Sequence, residues 1–235
     1  MIISGKDFVN PLSAWINRKQ PLPKRFYSTL QQDIVDVNWP VFISMEEMDL
    51  LHNVNAMEFQ SFSEAREENH LYLEKTKKII RGLEGGWLDN EEKDMILEKL
   101  SELPIPCLPL YIISIDDAKE ERLVYVGITK NKTRFKGGHA AALKLLNPIF
   151  DGQIKRIYRC NIWFVIEEEY IPLEWIEPQE LGLMLLESIE SQLIYFFKPI
   201  LNTDKKEKNL SKWEFNIHFQ NFMEQNFLHD EQVYQ

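Results

Sequence analysis

The sequence predicts an α/β (α+β) protein: a small core built on a short three-stranded antiparallel sheet flanked by helices, with an α-rich N-terminal arm and a C-terminal extension. Three observations carry this expectation. LYIISI at 110–115 and LVYVGI at 123–128 are β-branched and aromatic runs on either side of the charged turn DDAKEER, which reads as a hairpin. KRIYRCNIWFVI at 155–166 alternates well enough to supply a third strand. Around them, 61–83 and 178–197 are rich in helix formers.

In chain order, residues 1–40 read as irregular, because Pro11, Pro21, Pro23 and Pro40 interrupt short apolar groups. Ser44 followed by Met45-Glu46-Glu47 resembles a helix start, with an acid three residues on as in a capping box. The spacing predicts a helix over 61–83, stopped by Gly85-Gly86, and another over 89–102 with Asp89 as its cap. The proline-bearing segment 104–109 marks a boundary, so the domains expected are 1–104, 105–203 and 204–235. Within the core, HAAALKLLN at 139–147 is a helix stopped by Pro148, and 178–197 is the strongest helix, ended by Lys198-Pro199. The tail is read as a polar, helical appendage packed on the core through Trp213, Phe215, Ile217, Phe219 and Phe222.

Composition bounds the function. With 235 residues, 44% hydrophobic and 27% charged, the chain can bury a sizeable core. No apolar run approaches the roughly 18 residues needed to cross a bilayer, and the start MIISGKDFVNPLS does not resemble an export signal, so a cytoplasmic location is expected. Cys107 and Cys160 lack metal-like spacing and read as buried thiols. The formal charge of −10 opposes phosphate binding, yet it is unevenly spread. Lys130, Lys132, Arg134, Lys136, Lys144, Lys155, Arg156 and Arg159 face only Asp151 across 130–159. A basic face on an acidic molecule is therefore expected only if the fold makes these cations converge.

Hydrolysis of a phosphodiester needs a positioned water, a base, and positive charge for the developing phosphorane. The residue order here offers Tyr111 and Tyr125 on the hairpin, then Arg134 and His139, then Glu190 in the long helix. Glu190 shares a helical face with Leu186, Glu187, Leu193, Ile194 and Phe197, so it stands among apolar neighbours. Burying it unpaired would cost several kcal/mol, which a metal cation or Arg134 would offset. The bland readings are strand aromatics for the tyrosines, a solvated arginine and a helix-start histidine.

With Pro109-Leu110-Tyr111, Tyr125-Val126-Gly127, Arg134-Phe135 with His139, and the closing ESQLIYFFKPILN, the segment 109–203 resembles the GIY-YIG nuclease superfamily. In that last motif Glu190 precedes Leu193-Ile194, Pro199 and Asn202. Proline replaces the usual first glycine, Arg134 stands five residues before His139 rather than four, and Ile128 stands where some members carry a lysine. The lysine's role then falls to Lys130, to Lys132 or to neither.

The resemblance implies a GIY-YIG-like catalytic core and a metal-dependent endonuclease, a hydrolase cutting duplex DNA site-specifically as in restriction. It implies Tyr111 as general base, Tyr125 orienting the water or phosphate, Arg134 stabilising charge and His139 assisting. Glu190 would hold one Mg²⁺, or Mn²⁺ in its place, and Asn202 would brace the site. Lys130, Lys132, Lys136, Lys155 and Arg156 are the DNA contacts expected. The partners expected are DNA, a second copy of the chain in a homodimer, or another protein, and no membrane. Two alternatives accompany the restriction reading: a partner-dependent phage-defence or repair nuclease, and an inactive core kept as a DNA-binding or protein-interaction module.

Overall fold

The computed structural model describes residues 12–18, 21–22, 39–56, 61–80, 86–100, 103–104, 107–129, 140–166, 169–223 and 227–234. Its strands are β1 (Trp39–Leu50), β2 (Leu110–Asp116), β3 (Glu121–Ile128), β4 (Ile154–Ile166), β5 (Glu169–Pro172), β6 (Phe215–Asn221) and β7 (Gln232–Val233). The described helices are α1 (Ser13–Ile16), α2 (Phe62–Ile79), α3 (Asn90–Leu100), α4 (Ala140–Lys144) and α5 (Gln179–Phe197).

All seven strands form one sheet in the order β3-β2-β4-β1-β6-β7, with β5 also paired to β4. The hairpin β2–β3 is antiparallel, with Tyr111 opposite Gly127 and Ile113 opposite Tyr125. Strand β4 runs antiparallel to β2 on one edge and to β1 on the other, while β1 and β6 are parallel. This overturns the small three-stranded antiparallel core: the sheet is larger, mixed, and draws its central strand β1 from the supposed helical arm.

The physical reason is alternation. Val41, Ile43 and Met45 point into the main core from β1, so Ser44-Met45-Glu46-Glu47 lies in a strand and not at a helix start. A bulge between Met45 and Glu47 takes up the extra residue. Likewise Phe215, Ile217 and Phe219 are buried while their even-numbered neighbours are only partly so, which makes the tail a strand rather than a helix. The GIY-YIG assignment depends on the small core and falls with it. So do the readings built on it: the metal-dependent endonuclease, the restriction or phage-defence role, the partner-dependent repair nuclease, and the inactive module of that family.

Two apolar cores lie on the two faces of the sheet. The main core holds Leu110, Ile112 and Val126 of the hairpin with Leu185, Leu186, Ile189 and Leu193 of α5. The smaller one holds Tyr111, Ile113, Ile115 and Val124 with Ala141 and Leu145 of the α4 region and Leu201. Helix α2 starts at a capping box, in which the Glu64 N–H donates to Ser61 Oγ at 3.2 Å and the Ser61 N–H to Glu64 Oε2 at 3.1 Å. Its face Phe62, Ala65, Asn69, Tyr72, Leu73 and Thr76 is buried. Both cysteines are free and buried. Among the described residues no helix is long and apolar enough to cross a membrane.

Candidate functional site

The hairpin's tyrosines meet. The Tyr111 and Tyr125 rings stack with centroids 5.9 Å apart and planes 26° from parallel. Gly127 makes this packing possible: a Cβ there would lie 2.4 Å from Tyr111 Oη, 2.5 Å from its Cζ and 2.7 Å from Tyr125 Cε1. Tyr111 is fully buried, whereas Tyr125 is half-buried. The extra residue in β3 between the Ile113 and Ser114 pairings is Val124, which joins the second core and sets Tyr125 beside it.

Across the sheet from Gly127 and Tyr111, the same row continues to Arg159 of β4 and Glu47 of β1. Arg159 forms an ion pair with Glu47, and their side chains are 10% and 35% exposed. Burial pushes the Arg159 guanidinium down to about 10, which leaves it charged at neutral pH. The next row sets Asn161 opposite Ser44, and Ser44 opposite Gln220. Ser44 and Asn161 are both at 0% exposure. A polar band, buried at Ser44, Asn161 and Arg159, thus crosses a sheet face whose hairpin end is apolar. Sequence reading missed Glu47, Ser44 and Asn161, because only the pairing of distant strands aligns them with Arg159 and Tyr111.

The remaining expected residues fall as follows. Arg134, His139, Lys130, Lys132 and Lys136 lie outside the described residues. Of the described residues that flank them, Thr129 N–H donates to the Pro109 carbonyl at 2.7 Å, and Ala141 packs in the core that holds Tyr111. Asn202 braces the outer edge of β3, its amide accepting from Val126 N–H at 3.0 Å and donating to Val126 O at 2.9 Å. Lys155 and Arg156, adjacent on β4, point to opposite faces. Arg156 Nη1 lies 2.9 Å from Asp116 and 3.1 Å from Glu121.

Glu190 is bound by Lys205 Nζ at 2.6 Å. Its helix packs on the main core, on the sheet face opposite Tyr111. The neighbouring polar residues of α5 hold the tail. Gln192 donates to Phe215 O at 2.6 Å and accepts from Phe215 N–H at 3.0 Å, and Ser191 Oγ accepts from Leu210 N–H at 2.9 Å. Among the described residues no three His, Cys, Asp or Glu side chains gather as a metal ligand set.

Two buried carboxyls also escaped the sequence reading. Glu174, at 0% exposure, has both carboxyl oxygens without a hydrogen-bond partner, and burial pushes it up to about 8. Burial also pushes Glu46 up to about 8. Glu174 stands between Leu173 and Trp175 and Glu46 between Met45 and Glu47, patterns that an exposed edge would share, so only burial marks them.

No protein-family model, curated protein or solved structure matches the chain.

Proposed function

We propose that the chain binds a phosphate-bearing polyanion, with DNA as the partner, through the cation-rich run 130–159. What supports the reading is the run 130–159, where eight Lys and Arg stand against one acid, Asp151. Within that run, residues 130–139 hold four cations and no acid. Tyr125 offers a half-buried ring on which a base can stack.

The test is fluorescence anisotropy with labelled duplex and single-stranded oligonucleotides across a salt series. Wild type should bind with log K falling linearly against log salt. Lys132→Glu with Lys136→Glu should weaken binding at least tenfold and flatten the slope by about 2. No binding to either form of DNA, or unchanged binding by the double variant, sinks the reading. With a net charge of −10, a homodimer or a protein partner would help by avidity, and sedimentation with and without DNA reads this directly.

Mg²⁺ or Mn²⁺ at Glu190 stands as a separate proposal. Lys205 already neutralises this carboxylate, so a divalent cation has to displace its ammonium. Lys205→Ala should therefore tighten Mg²⁺ binding in a titration followed by NMR, and Glu190→Gln should abolish it.

A further inference from the structure

On the opposite side of the hairpin from the polar band, an open cleft of about 620 Å³ is lined by Glu120, Glu121, Arg122, Leu123, Phe197, Phe227 and Leu228. Its volume is in the range of small-molecule sites. We propose that it binds an organic cation: an ammonium or guanidinium head on an apolar body.

Three features argue for that chemistry. The walls are aromatic and aliphatic, and the Phe227 ring packs on Tyr158 with centroids 5.2 Å apart. Phe227 is held in place by its carbonyl, which accepts from Asn221 Nδ2 at 2.7 Å. Leu228 beside it takes φ 49°, a left-handed conformation costly for leucine, which indicates a turn over-determined by its surroundings. Aromatic faces attract cations through their quadrupole.

The charges on the rim divide unevenly. Glu121 is consumed by the fold: it accepts from Ser114 Oγ at 2.5 Å and Tyr158 Oη at 2.8 Å, and Arg156 lies 3.1 Å away. Arg122 leans toward Asp117 at 3.6 Å. The Glu120 carboxylate, exposed on the rim, has no side-chain partner among the described residues, so it is the charge left for a ligand. The third feature is the end of α5: Phe197 is its last residue, and the negative end of the helix dipole favours a nearby cation.

The experiment is an NMR titration of the full chain with phenethylammonium, with its near-isostere 2-phenylethanol, and with Nα-acetyl-argininamide, following the amides of 120–123 and 227–228. Phenethylammonium should give saturable shifts there and 2-phenylethanol should not. Glu120→Gln should weaken the cation roughly fivefold, as expected for losing one exposed charge contact over aromatic walls. Phe227→Leu, which keeps an apolar wall, should weaken it by a similar factor. Tighter binding of the argininamide assigns the site to a side chain of another protein, and tighter binding of phenethylammonium to a free amine. Equal binding of 2-phenylethanol, unchanged binding by Glu120→Gln, or no saturable shift with either cation overturns the proposal.

Discussion

Gly127 and Glu174 show how much a single position carries. At Gly127 the space a methyl would need is filled by Tyr111, whose hydroxyl oxygen would lie 2.4 Å away, and by the Tyr125 ring. Gly127→Ala should cost about 1–3 kcal/mol of unfolding free energy, read from urea denaturation, because the Tyr111–Tyr125 stack must open. Glu174 makes a prediction in pH. Folded, its carboxyl keeps its proton up to about 8, whereas unfolded it ionises near 4.5. Between those values the folded state binds more protons than the unfolded state, so stability falls as pH rises through the window. Glu174→Gln should gain little at pH 4 and roughly 4 kcal/mol at pH 8, measured by chemical denaturation at each pH. Glu46 adds a dependence of the same sign over the same window.

Among the elements, hairpin β2–β3 and helix α5 were legible because their signals are local. LYIISI and LVYVGI are short runs of strand formers around a charged turn, and α5 is a long run of helix formers closed by Lys198 in the left-handed conformation before Pro199. The spacing that prompted the nuclease resemblance has packing reasons of its own. Gly127 makes room for Tyr111, and Asn202 substitutes for a missing neighbour strand at Val126. Asn202→Ala should therefore loosen the β3 edge: hydrogen exchange at Val126 should speed markedly, with a stability loss of roughly 1–3 kcal/mol. Strand β1 was misread because Ser44 and Glu47 have capping-box spacing, and four residues cannot distinguish a cap from a bulged strand.

For the whole molecule, the sheet depends on segments far apart in sequence. Strand β6 covers the second edge of β1, and Gln192 of α5 ties its first residue down from the opposite layer. Phe215, Ile217 and Phe219 each contribute about 1.5–3 kcal/mol by burial. Ending the chain after Thr203 should leave β1 with a bare edge and the main core open, so the shortened protein should lose its cooperative thermal transition. A shortened protein that melts as sharply as the full chain would show that the tail is an appendage.

By itself the sequence determined the hairpin, helices α2, α3 and α5, the buried thiols, and the uneven placement of its cations. These depend on periodicity, capping and composition within windows of about twenty residues or fewer. Only the tertiary structure decided that 39–50 and 215–221 are paired strands, that the sheet is mixed, and that Arg159 meets Tyr111 and Glu47 in one row. Strand pairing is set by which distant segments share a core. The same alternating run can therefore sit at an edge, at the centre, or outside the sheet until its neighbours are known.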